Sequence, residues 1–223
     1  MGFLNKRKIV KSVSYYISET VIVIIGIFIA IQLNNINQVR KNNSDGVEAL
    51  KRISVDLATE KFMLESHKKR FLNSKKYLVN VVYNDSIDNL DSITYHFNAF
   101  RHYKMNSEYI NLKYSGKLNL IKNDKLRYYI VSFYEVYYSG LEAIAEKHKK
   151  QIDGKIGNYF ENEFPVDTTH LIKPEIVKLK LKDQEFKEVI IEQINALDFV
   201  CKNMQTQSID TLINMIHNEI SIN

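Results

Sequence analysis

The feature that most constrains this chain is an uncharged apolar run near its start, where residues 21–31 read VIVIIGIFIAI. That run alone is too short to cross a bilayer and would suit the core of a signal peptide. It extends without a break over residues 16–33, about 27 Å of helix against a hydrocarbon core of about 30 Å. Glu19 is the ionisable side chain within it and lies near one end. Even at the bilayer centre a carboxylate would cost roughly 3 kcal/mol, and the Val, Ile, Leu and Phe residues of 21–33 together return about 3–6 kcal/mol. The run exits through Gln32, Leu33, Asn34 and Asn35, with no small-x-small cleavage pattern. The reading is an uncleaved anchor over residues 13–36, a basic tail over 1–12 and a domain over 37–223.

Charge around the run sets a direction. Lys6, Arg7, Lys8 and Lys11 precede it, and Arg40 and Lys41 follow closely, with Lys51 and Arg52 further on. The positive-inside rule then puts the N-terminus in the cytoplasm and the domain across the membrane. In a bacterium with two membranes this is a single-pass inner-membrane protein with a periplasmic domain. The four leading cations and Glu19 also account for most of the net charge of +5, and the remainder is close to neutral. Such a domain has no strong electrostatic attraction to nucleic acid. Glu19, Gly26, Ala30, Leu33 and Asn37 fall along one stripe of a helix. Gly26 and Ala30 form a small-xxx-small pair that lets two helix backbones approach, so the stripe could dock a second copy or another membrane protein, with Glu19 as a polar contact. The blander account is that Gly and Ala are common in spans and that Glu19 sits among headgroups.

Two blocks resemble a family of uncharacterised bacterial single-span membrane proteins. The family opens with a basic tail, a tyrosine, a Gly-Glu pair, an apolar span with an internal glycine and a Gln-x-Asn-Asn-Trp-Asn exit. Tyr15, Glu19, Gly26, Ala30, Gln32, Asn34, Asn35 and Asn37 match it, while Ser18 and Ile36 stand where the family has glycine and tryptophan. A second block carries Tyr109, Leu112, Lys113, Ser115, Gly116, Leu118, Leu120, Ile121, Asn123 and Leu126 at the spacing of the family's Ser-Gly-x-Leu-x-Leu-Ile segment. The resemblance implies a single-span, mostly helical protein and implies no activity.

The domain reads as all-α. Two prolines and seven glycines favour long helices over a turn-rich β fold, and 45% apolar residues suffice for a core. Leu50, Leu57, Leu64, Phe71 and Leu78 recur every seven residues, predicting one helix over 43–83, but Glu60, His67 and Ser74 interrupt the partner heptad position. A free two-stranded coiled coil is therefore disfavoured against packing on other helices of the same chain. Residues 84–92 read as a loop, and Ile93, Phe97 and Phe100 mark a short helix. Ser107 is placed to cap another helix, which Ser115-Gly116 ends. Asn123 caps a long helix carrying Leu126, Ile130, Phe133, Tyr137, Leu141, Ile144, His148, Ile152 and Ile156. Phe164-Pro165 closes it, and residues 167–182 read as irregular. Asp183 caps one last helix with Phe186, Ile190, Ile194, Leu197, Cys201, Met204, Leu212 and Ile216 inward. The predicted architecture is an anchor helix continuing into an up-down bundle of three long helices plus short ones.

No chemical motif convinces. None of His67, His96, His102, His148, His170 or His217 has Glu three residues before it, as a di-iron bundle requires. Asp167 and His170 could chelate from a loop, but solvated polarity is the default. Ser66 and Lys69 match Ser-x-x-Lys without the partner motifs of that enzyme class. Gly154-x-x-Gly157 is half a phosphate loop and reads better as close packing or a bend. The basic runs 67–70 and 147–150 read as solvated helix faces. Cys201, the single cysteine, falls on an apolar face as an inert thiol. Tyr109, Tyr114, Tyr134 and Tyr137 could line a partner or ligand surface, though tyrosines at such spacing are more often core. The expected role is a membrane-anchored interaction or scaffold protein without catalysis or cofactor, contacting membrane lipid and either itself or another membrane protein. The alternative is an extracytoplasmic ligand-binding sensor that signals through a partner.

Overall fold

The computed structural model describes the backbone of residues 3–83, 90–164 and 174–222, and side chains over 19–83, 93–164 and 175–222. Asp167, His170 and most of the loop expected over 84–92 lie outside them, as do the side chains of the basic tail. The described residues are helical and contain no strand, so the chain is all-α. It divides into two units, residues 1–48 and residues 49–222.

One helix assignment, α1 (Phe3–Tyr83), runs from the first unit into the second. In the first unit its apolar stretch is bare: Ile22 is 68% exposed, Phe28 60% and Leu33 57%. An apolar surface of this extent is unfavourable in water and is the expected state of a helix whose solvent is lipid. Among the described residues α1 is the one helix long and apolar enough to cross a membrane.

The second unit is built around the heptad seam. Leu50, Leu57, Leu64, Phe71 and Leu78 are all buried. Behind them pack α2 (Ser107–Tyr114), then α3 (Asp124–Ser132), α4 (Tyr138–Gln151) and α5 (Gly157–Glu163), which π turns at Phe133–Tyr137 and Ile152–Ile156 join end to end. The short α6 (Pro174–Lys180) precedes α7 (Gln184–Asn203) and α8 (Gln207–Ile222). Cross-helix contacts fix the directions. Lys75 pairs with Asp198, Lys61 with Asp210, and Ser54 with His217, so α7 and α8 run antiparallel to α1. Tyr137 reaches Gln205 and Asn123 reaches Glu219, so they also run antiparallel to the α3–α5 rod. Segment α1 and the rod are therefore parallel. The down leg between them is the 3-10 turn Leu90–Phe97 followed by an extended strap over residues 98–106.

Local signals explain most boundaries. The Asn123 side chain accepts from the Leu126 N–H (3.1 Å) and Asp183 from the Glu185 N–H (3.0 Å), each satisfying an orphan donor at a helix start. Gly116 takes φ +69° just past α2, the left-handed position glycine occupies without strain. Gly154 leaves helical geometry at φ −87°, ψ −111°, so the Gly154-x-x-Gly157 pair marks a bend. A Cβ at Gly157 would stand 2.8 Å from the Ile152 carbonyl oxygen, so only glycine fits there.

Four local expectations are corrected. Ser107 is the first residue of α2 and caps nothing; its hydroxyl donates to Asp56, whose Oδ2 accepts the Glu108 N–H at 3.0 Å. The cap thus comes from α1, out of reach of any local pattern. Ile93 and Phe97 lie in a 3-10 turn and Phe100 beyond it, because the strap gives its backbone bonds to other elements. Part of the stretch read as irregular over 167–182 forms α6, begun at Pro174, a residue suited to the first helical turn. The last helix breaks between α7 and α8, where the Asn203 amide donates to the Phe199 carbonyl (2.7 Å) and the Gln205 carbonyl accepts from Tyr137 (2.6 Å), competing with continuation of the helix.

Candidate functional site

Two places in the second unit stand apart from ordinary helix packing. The first is a polar seam where the strap passes between α1 and the rod. Where the strap turns inward, at Phe100 and Met105, it has no ladder of its own, so its backbone groups there need side-chain partners. Of the residues that interrupt the heptad, Glu60 supplies one such partner, while His67 and Ser74 meet side chains. Glu60, 1% exposed, accepts from His102 Nε2 (2.8 Å), from Tyr138 Oη (2.9 Å) and from the Met105 N–H (3.3 Å). The Tyr138 hydroxyl also lies 3.0 Å from the Met105 carbonyl. His67 packs edge-on against Phe100, with ring centroids 5.6 Å apart. Ser74 meets His96 Nδ1 at 3.0 Å. At the rod, His148 Nδ1 accepts the Phe100 N–H at 3.0 Å, and from α7 Gln193 donates to the His96 carbonyl at 3.0 Å. Ile53 and Val81, one heptad beyond either end, are apolar and buried. The polar stretch of the heptad therefore coincides with the strap.

Burial lowers the pKa of His148, which must keep its Nδ1 lone pair for Phe100; burial likewise lowers His96 and His67. It raises the Tyr138 phenol, with Glu60 adding to the effect, so this hydroxyl stays protonated as a donor. His102 Nδ1, Tyr134 Oη and Tyr159 Oη are buried without a hydrogen-bond partner. At the strap's far end Arg52 makes a bidentate pair with Glu108 (2.8 and 3.0 Å). The seam ties the strap and the 3-10 turn before it to α1, to the rod and to α7.

The second place is an apolar groove of about 800 Å³ between the rod and α8. Tyr129, Phe133, Val136 and Tyr137 form one wall and Leu212 and Met215 the other, with Lys125 at one end. The π turn Phe133–Tyr137 contributes three of these side chains. π turns have poorer hydrogen-bond geometry than α turns and recur at functional sites. The same turn presents Tyr134 to the core and leads into Tyr138 at Glu60, so one irregular turn serves both places.

The tyrosines singled out from sequence are distributed accordingly. Tyr109 and Tyr134 stack on each other in the core (4.6 Å between centroids), and the Tyr109 hydroxyl donates to Glu135 at 2.6 Å. Tyr114 is exposed. Tyr137 lines the groove, stacks on Phe133 at 4.8 Å, and has its phenol pushed up to about 12, chiefly by burial. In the first unit Glu19, Gly26 and Ala30 are exposed, and a Cβ at Gly26 would meet nothing within 4 Å. Cys201 is buried, which raises its pKa. Ser66 and Lys69 are exposed on α1. Among the described residues no three His, Cys, Asp or Glu side chains gather to hold a metal ion. The role of Glu60, His102 and Tyr138 was missed from sequence. The interrupted heptad was the available signal, and it pointed to one side of the contact.

These features define an all-helical chain with one candidate membrane-spanning helix near its N-terminus. No protein-family pattern, characterised protein or solved structure matches it.

Proposed function

We propose that the chain is a membrane-anchored helical interaction or scaffold protein, held by residues 13–36 in a bacterial inner membrane with its N-terminus cytoplasmic and residues 37–223 periplasmic. The observation that carries this reading is the bare apolar stretch of α1, none of which is buried within the chain. The likeness of residues 15–37 and 109–126 to the single-span family supports it. The buried stitching of the strap supports a binding rather than a catalytic role for the bundle, because Glu60, Tyr138 and Met105 bond one another. Partners would be membrane lipid and either a second copy or another membrane protein meeting the Glu19, Gly26 and Ala30 stripe; nucleic acid is not among them. Because a side chain at Gly26 meets no atom of this chain, Gly26→Ile tests an intermolecular contact without disturbing the fold. The substitution should lower the yield of crosslinked dimer or heteromer in native membranes while alkaline extraction still leaves the protein in the membrane pellet. Release by alkali would remove the anchor. Reporter fusions at Asn223 test the orientation.

A second reading, a ligand-binding sensor that signals through a partner, is favoured by one observation, the groove beside Tyr137. A small molecule that raises the melting temperature of the full chain would support it.

A further inference from the structure

We propose that the groove between the α3 π turn and α8 binds a single-chain anionic amphiphile, specifically a long-chain fatty carboxylate. This rests on the second of the two readings above and names its ligand class. The antiparallel register fixed by Asn123 with Glu219 and Tyr137 with Gln205 orders the lining. Lys125 and Met215 stand at one end, and Val136, Tyr137 and Ser208 at the other. From Lys125 to Val136 the rod covers roughly 16 Å.

Along that length the walls are apolar and partly open to water: Val136 is 67% exposed and Tyr129 44%. No carboxylate lines the groove, and among the described residues Lys125 has no acidic partner. The nearest acids in sequence and register are engaged elsewhere, Asp124 by Arg127 and Glu219 by Asn123. Of the five hydroxyls present, those of Thr211 and Tyr137 already donate to the Gln207 and Gln205 carbonyls, and those of Tyr129, Ser132 and Ser208 add neutral polarity without charge. The groove therefore offers one cation at one end of an extended apolar trough. This complements a chain with one anionic head and little other polarity. The volume lies within the roughly 300–1,000 Å³ of small-molecule sites, and Met215 can adapt to a flexible chain. A partner helix would call for several separated anchor pockets along its face, whereas the lining here forms one continuous trough.

The test uses the full chain in phosphatidylcholine nanodiscs with a photoreactive palmitate, its crosslinks mapped by mass spectrometry. Labelling should concentrate on the Tyr129–Val136 and Leu212–Met215 peptides. Palmitate should compete for it and hexadecanol should do so at least tenfold less well. Lys125→Glu should weaken binding at least tenfold, and Val136→Asp should abolish groove labelling. Both positions are exposed, so folding is retained, which circular dichroism would verify. Labelling spread over α1 alone, equal competition by hexadecanol, or an unchanged affinity in Lys125→Glu would overturn the proposal. So would displacement by phosphatidylglycerol in the disc but not by palmitate, which would assign the groove to bilayer phospholipid. Crosslinks from groove residues to another polypeptide would assign it to a protein. None of these outcomes touches the anchor reading, which alkaline extraction judges separately.

Discussion

Replacing Glu60 by leucine should destabilise the second unit by about 3 kcal/mol and should do so through the strap. The figure follows from where its bonds go. Glu60 receives His102, Tyr138 and the Met105 N–H. Two of these have an alternative, since the Tyr138 hydroxyl can donate to the Met105 carbonyl (3.0 Å) while accepting the Met105 N–H (3.2 Å). His102 has none. Its side chain is 2% exposed and its other nitrogen already lacks a partner. The orphaned N–H alone costs about 1–3 kcal/mol, and breaking a buried pair by removing one member typically costs about 3–5. Removing both members leaves no polar group stranded, so Glu60→Leu with His102→Phe should recover about 1–2 kcal/mol of the summed single costs, inside the usual range for residues in contact. Hydrogen exchange of the full chain in nanodiscs, resolved to peptides, would read the effect. In Glu60→Leu, protection should fall first and furthest over residues 98–106, with α5 following only through global unfolding. Equal loss across the bundle, or singles that simply add in the double variant, would refute the idea that this carboxylate acts by satisfying the strap.

Other consequences are as direct. His148, His96 and His67 have pKa values lowered by burial, so the unfolded chain binds more protons than the folded one below about pH 6.5. Stability should be fully present above that pH and fall as pH drops toward 5, by up to about 1.4 kcal/mol per pH unit for the buried His148 while it stays neutral in the fold, and by less for the half-buried His96 and His67. His148→Asn should flatten the slope of unfolding midpoint against pH, and a flat wild-type profile would contradict the argument. Gly157→Ala forces a Cβ against the Ile152 carbonyl oxygen and should cost about 1–3 kcal/mol, with exchange accelerating in α5. Asn123→Ala removes the α3 cap and the Asn123–Glu219 bond; a loss of about 1–2 kcal/mol in chemical unfolding is expected, and a loss below 0.5 would show the cap to be idle.

Much of the fold was legible because it is written locally. The heptad of Leu50 to Leu78, the Asn123 and Asp183 caps and the Ser115-Gly116 stop are short-range signals, and each sits where the spacing placed it. Legibility failed where the deciding partner is distant in sequence. Asp56 caps α2 across the gap between two elements, and Glu60 and Tyr138 hold Met105 in a strap that its own residues would not keep extended. The break between α7 and α8 depends on a Tyr137 hydroxyl from another helix. In the candidate sites, Tyr134 and Tyr137 follow one another at helical spacing, yet of the two only Tyr137 turns toward the groove. The π turn rotates the residues within it relative to a regular helix, and nothing in the run Phe133-Tyr134-Glu135-Val136-Tyr137 announces such a turn.

The π turn also suggests why two unlike places adjoin. A regular α turn here would shift Tyr138 relative to Phe133 by about 100° over one residue, so either the phenol would leave Glu60 or Phe133 would leave the wall it shares with Tyr137. The wider turn lets Tyr134 face the core and Tyr138 the strap while Val136 and Tyr137 face the trough. Any occupant that presses on Val136 or Tyr137 therefore presses on the turn that aims Tyr138 at Met105. Occupation of the groove and protection of the strap should rise together. Palmitate added to the full chain should slow exchange at residues 98–106 as well as along α8, and in Glu60→Leu the binding should persist while that remote protection is lost. If palmitate slowed exchange along α8 alone in the wild-type chain, the two places would share a turn without sharing any free energy.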